Sequence, residues 1–165
     1  MDRTMQLIAE PGESTMVVTR TFDAPRELVF EAWITPEHLA RWWGPRDQEL
    51  IKCEMDLRVG GAHRFVSRGP DGQEHPFKGE YLEIDPPKRL SSTFIYDVDG
   101  WRDFVAVDTM VLEEHDGRTT VTVTTEHGSV EARDGHLDAG MEGGMRESFE
   151  RLDELLASLQ EGRDR

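Results

Sequence analysis

The 165-residue chain carries a formal net charge of -15, with 32% charged and 36% hydrophobic residues, which suits one soluble domain with a real core. That excess of acid argues against nucleic acid and anionic membrane surfaces as partners, since both require clustered Lys and Arg. The single Cys53 excludes an internal disulfide, and no apolar run approaches the roughly 20 residues of a membrane span or the pattern of a signal peptide, so the expected location is cytoplasmic.

Residues 5–9 and 15–22 are two strand-like runs joined across Pro11-Gly12, the pattern of a hairpin. In DAPRELVFEAWITPEHLARWWGP, Asp23 is placed to cap a helix and Pro25 to sit in its first turn. Pro36 forces a second short helix rather than one long one, with Thr35 as its N-cap. From residue 47 the period becomes two. Ile51, Cys53, Met55 and Leu57 alternate with charged residues, so one face is buried. Strands follow over 62–68, 76–84, 89–98, 104–113 and 119–125, separated by Gly, Pro and Asp turns. Strands 89–98 and 104–113 are apolar on both faces, so alternation does not decide which side points inward.

Residues 129–138 read as a helical lead-in. Residues 140–159 then place Met141, Met145, Phe149, Leu152, Leu156 and Leu159 at steps of three and four, one stripe of a long amphipathic helix. Glu142, Glu147, Glu150, Asp153 and Glu154 take the other face, with Arg146/Glu150 and Glu147/Arg151 as supporting pairs. A lone helix after a meander of strands must bury its stripe on their sheet. The expected fold is α+β: an antiparallel six- to seven-stranded curved sheet wrapped around a long C-terminal helix, with two short helices after the first strand. It forms a single domain over 1–165, with its core at 15–159 and a frayed tail at 161–165.

Four segments resemble one family in the same order. They are TRTFDAPRELVFEAW with TPEHLARWWGP, GGAHRFVSRGPDG, FKGEYLEIDPPKRL, and GMEGGMRESFERLDELL. Together they resemble the SRPBCC superfamily, in the branch named for the activator of heat shock protein 90 ATPase. The resemblance implies a helix-grip fold, START-like and shared with birch pollen allergens. It also implies an apolar cavity that binds lipids, polyketides or other hydrophobic molecules, with cyclase or aromatase-like activity in some members. The co-chaperone that names the branch has a further N-terminal domain without counterpart here, so activation of a chaperone ATPase is only a weak carry-over from the resemblance.

Alternation puts a set of residues between sheet and helix: Ile51, Cys53, His63, Phe65, Phe77, Tyr81, Phe94, Tyr96, Met110, Met141, Met145 and Phe149. They serve either as plain core or as the wall of a mostly apolar pocket with a few orienting polar groups; Met and aromatic side chains suit the second role. Trp42, Trp43 and Trp101 are placed to close its mouth, or to divide between core and surface. His63, Tyr81 and Asp108 are the candidates for catalysis, His63 as a donor or general base. Asp108, if buried, needs a partner or a ligand. The remaining histidines, His38, His75, His115, His127 and His136, fall at turns or helix surfaces, and no pair has metal-ligand spacing. No metal and no cofactor is implied. Asp97 to Gly100 lacks the later ligands of a calcium loop. Three functions stay open: a binder of a hydrophobic small molecule, a cyclase or hydrolase using His63 and Tyr81, and a co-chaperone-like interaction module. A homodimer through an edge strand or the N-terminal hairpin is compatible with all three. Gly140, Gly143 and Gly144 weaken the helix beside Met141 and Met145, either for close packing or to admit a ligand.

Overall fold

The period-two stretches pair into one curved, unclosed antiparallel sheet. The computed structural model describes residues 5–163. In chain order the elements are β1 (Gln6–Ile8), β2 (Thr15–Phe22), α1 (Arg26–Ile34), α2 (Pro36–Trp42), β3 (Glu49–Met55), β4 (Ala62–Arg68), β5 (Glu74–Asp85), β6 (Arg89–Tyr96), β7 (Ala106–His115), β8 (Arg118–Glu126), α3 (Val130–Asp138) and α4 (Met141–Arg163). The strand order β1-β2-β8-β7-β6-β5-β4-β3 makes eight strands, because β1 of the N-terminal hairpin also joins the sheet edge. Residues 161–163, expected to fray, continue α4; the rest of that tail lies outside the described residues.

The register settles which side faces α4. On β2, Phe22 meets Phe149 edge-on at 5.5 Å and Arg20 binds Asp153 at 2.6 Å, so Met16, Val18, Arg20 and Phe22 point toward the helix. Pairing carries this inner face through Thr125 and Val123 of β8 to Asp108 and Met110 of β7, then to Ser92 and Leu90 of β6. It continues through Tyr81 and Phe77 of β5 to Phe65 and His63 of β4, and ends at Cys53 and Met55 of β3.

Helix α4 has two unlike halves. Phe149, Leu152, Leu155 and Leu156 are at most 3% exposed and pack with Phe22, Leu28, Leu112 and Val121. Met141 and Met145 are only partly buried. Asp153, expected on the outer face, turns inward because the buried Arg20 needs a counterion. Arg151 donates to the carbonyls of Gly44 and Pro45 rather than pairing with Glu147, and Arg146 pairs with Glu142 instead of Glu150. Ser148 receives the Gly44 amide and Arg46 pairs with Glu154, so the end of α2 is fastened to α4.

The helix caps also differ from the sequence expectation. Pro25, not Asp23, occupies the N-cap of α1, and the Arg26 amide is taken by Glu114 of β7 at 2.6 Å. Thr35 is the N-cap of α2 by position, yet its hydroxyl donates backward to the Glu31 carbonyl. Gly140 lies outside the helix: at φ +87° it forms the turn between α3 and α4, where the left-handed region favours glycine.

Candidate functional site

Rings on the inner face form one continuous ladder. His63 stacks on Phe65 at 5.1 Å and lies 5.2 Å from Tyr81. Trp43, just past α2, sits 5.4 Å from Phe65 and 5.3 Å from Phe77. Phe77 stacks on Phe94 and on Tyr96, both at 5.1 Å. Tyr96 leads to Trp101 and Phe104 of the β6–β7 loop at 6.2 and 6.3 Å steps. Residues drawn from three strands, one helix terminus and one loop therefore share one surface. Trp43, Phe77, Phe94 and Tyr96 on it are only partly buried.

Other expected wall residues go elsewhere. A register shift between Leu50 and Lys52 turns Leu50 inward and leaves Ile51 38% exposed, so Ile51 does not line the interior. Trp42 is 2% exposed, donates its indole N–H to the Ala32 carbonyl and packs on Trp33, which makes it core rather than mouth. Met110 and Phe149 are likewise sealed in the dry core, at 4% and 3% exposure. Trp101 is 38% exposed at the tip of its loop and faces Gly135 of α3, whose position leaves room for the indole edge. Cys53 is partly buried on the inner face, where burial pushes its thiol up to about 11, so it stays protonated.

His63 closes a gap in the sheet. Register pairs flank the gap at Lys78↔Ile95 and Tyr81↔Ser92. Between them the Thr93 carbonyl accepts from His63 Nε2–H at 3.0 Å, and the Glu80 amide donates to the Thr93 hydroxyl at 2.9 Å. Gly79 opposite His63 makes this possible, since a Cβ there would stand 1.9 Å from the Thr93 oxygen and 2.4 Å from His63 Nε2. With Nε2 donating, Nδ1 is an acceptor; it is buried without a partner. Burial lowers the His63 pKa, against the pull of the Thr93 carbonyl, and the ring stays neutral. Tyr81 is 3% exposed and burial raises its hydroxyl. His63 and Tyr81 thus touch as rings, and their polar atoms are not joined by a hydrogen bond.

Asp108 faces inward, diagonal to Phe94 across the β6–β7 pair. The Thr125 hydroxyl donates to its Oδ1 at 2.6 Å, the one hydrogen bond it makes among the described residues. Burial pushes the carboxyl up to about 6, and the Thr125 bond pulls it partly back.

The histidines next to α3 correct the expectation of solvated rings. His127 is 6% exposed; its Nδ1–H donates to the Ser14 carbonyl at 3.2 Å, and its Nε2 accepts from His136 Nδ1–H at 3.0 Å. Burial and then His127 push His136 down to about 4. Arg133 adds bonds to the carbonyls of Glu10 and Thr15. These contacts hold α3 across the end of the sheet that carries Asp108 and Thr125. His75 shares a 2.7 Å hydrogen bond with the Tyr96 hydroxyl, while His115 is solvated as expected. Asp97 and Asp99 are engaged by Arg102, and among the described residues no three acidic, His or Cys side chains converge on a metal site.

Two clefts flank the site. One of about 450 Å³ lies where residues 12–15 meet residues 126–130, and one of about 400 Å³ is bounded by Arg64, Lys78, Glu80 and Ile95 over the His63–Gly79 gap. Neither lies between α4 and the sheet.

Residues 23–157 match the family model described as activator of Hsp90 ATPase homolog 1-like protein. The chain belongs to that family. Its domains share the SRPBCC-type ligand-binding fold. Solved structures agree across nearly the whole chain. A Rhodobacter sphaeroides protein is 28% identical with a TM-score of 0.85, over 94% of this chain and 99% of its own. Protein Ms6760 from Mycobacterium smegmatis is 26% identical with a TM-score of 0.83, over 93% and 97%. An Arthrobacter aurescens protein gives 26% and 0.83, over 93% and 91%. No curated protein matches the chain. Among the described residues no helix is long and apolar enough to cross a membrane.

Proposed function

We propose that this member of the family binds a hydrophobic small molecule against the ring ladder, beneath α3 and the first turns of α4. The observation that carries this reading is the contrast within one interface. The C-terminal half of α4 is sealed on the sheet, while Met141, Met145, Phe77, Phe94 and Tyr96 keep solvent contact. A ladder of rings left partly open on an inner face is large apolar area available to a ligand, at roughly 25 cal/mol per Å² covered. Met side chains adapt to varied shapes, and polar groups at both ends of the ladder orient a guest.

Access follows from the glycines. Gly143 has open space around it and Gly144 touches only Pro45 at ordinary distance, so close packing does not require either. They loosen the start of α4 instead, which lets Met141 and Met145 move aside.

The test is a titration with N-phenyl-1-naphthylamine, a neutral dye that brightens in apolar surroundings, read together with the intrinsic tryptophan emission. Saturable brightening, weakened by Phe77→Ala and unaffected by Ile51→Ala, supports the reading. Absence of saturable binding to the folded protein removes it.

A further inference from the structure

Two acceptors on this surface lack a full set of partners. Asp108 presents a carboxylate whose only bond among the described residues is from Thr125. Among the described residues no Lys or Arg pairs with it. Arg20, on the same face, is consumed by Asp153 at the other end of the helix. Arg133, on the helix above, spends its guanidinium on Glu10, Thr15 and Asp134. Lys78, in the middle of the ladder's strands, turns outward to Asp97. At the far end of the ladder, His63 Nδ1 is a second acceptor without a donor. A half-buried carboxylate without a cation is costly, and Phe94, diagonal to it across the strand pair, offers a ring face. Ring faces attract cations, and the whole chain, at -15, draws cations in and repels anions.

We infer that the bound molecule is an apolar amine, carried as its ammonium ion, whose charged head bonds to Asp108 while its apolar body lies along Phe94, Phe77 and Tyr96. The inference rests on the ligand-binding reading above and narrows it. Fatty acids and other apolar anions are rejected at the same point, because their heads would face an uncompensated carboxylate.

The test displaces N-phenyl-1-naphthylamine with octylammonium, 1-octanol and octanoate, three heads on one tail, at high salt so that the general surface field is screened. The expected order is octylammonium, then octanol, then octanoate, with the first two separated roughly tenfold. Asp108→Asn is expected to erase the ammonium preference and leave octanol unchanged. Asp103→Asn, which removes the same charge from the exposed loop at the same end of the sheet, is expected to preserve it. Equal binding of all three heads, tighter binding of octanoate, or a preference that survives Asp108→Asn overturns the amine assignment and leaves the ligand-binding reading intact. Failure of all three to displace bound dye also overturns it, and failure of the dye itself to bind removes the ligand-binding reading beneath it.

Discussion

Replacing Asp108 with Asn is expected to stabilise the protein, and only at neutral pH. Folding raises this carboxyl from 3.8 to about 6 through burial, against the Thr125 bond. Holding it ionised in the fold therefore costs about 3 kcal/mol at neutral pH. Asn keeps an oxygen for the Thr125 hydroxyl and removes the charge; its new N–H donors offset about 1 kcal/mol of the gain. The net expectation is about 2 kcal/mol, or a Tm rise of roughly 4–8 °C for a chain of this length. The sign fixes the pH window. A carboxyl with a raised folded pKa favours the fold below its unfolded value and loses that contribution as pH rises through about 6. The advantage of Asn should thus be full above about pH 7 and fade between about 6 and 4. Thermal melts of both proteins across that range make the measurement. A variant that is destabilised at neutral pH, or that gains equally at all pH values, refutes the argument. Retaining a carboxylate at this cost is what a ligand anchor demands, since binding sites often trade stability for function.

Further outcomes follow from the same geometry. Gly143→Ala and Gly144→Ala should each raise stability by about 0.5–1 kcal/mol and together slow dye uptake; unchanged melting would show that α4 is not weak there. Gly79→Ala should cost about 3 kcal/mol, because the new methyl expels His63 from the Thr93 carbonyl, and amide exchange at Glu80 reports the opened gap. In the Asp108→Asn background, where that carboxyl no longer adds stability as pH falls, stability should fall as pH drops from about 6.5 to about 4, since His127 and His136 are held neutral by burial and take up protons more readily when unfolded. His136→Gln should flatten that slope; an unaltered slope would assign it to other groups. Leu152→Ala should cost about 2–5 kcal/mol, and Met145→Ala under about 1, if only the second half of α4 anchors the sheet.

The architecture was legible because its signals are local. Alternation, Gly-Pro turns and the stripe of α4 are properties of neighbouring residues, and they located the helices and strands. What escaped depends on distant partners or on one-residue irregularities. The shift beside Ile51 exchanges inside for outside without any glycine to announce it. The facing of Asp108 was ambiguous because Val107 and Val111 are as apolar as Met110 and Leu112, and only the register from β2 settles it. Arg20 and Asp153 stand 133 residues apart, so neither revealed the other. His127 and His136 meet because α3 folds back over the strand that precedes it. In the candidate site the rings were recognisable by type and alternation, whereas the His63–Gly79–Thr93 gap required three strands to be aligned. Gly79 inside a strand was the available hint, since such a glycine often marks close approach by another group.

A guest on the ring ladder beside the weak half of α4 would lie against Met141 and Met145. Methionine-methyl NMR during titration with N-phenyl-1-naphthylamine tests it most directly. The expected result is large, saturable shifts at Met141 and Met145, with the buried Met5 and Met16 unmoved. Shifts confined to Met16, near the cleft at residues 12–15, or no shifts at Met141 and Met145 while the dye binds, would contradict it.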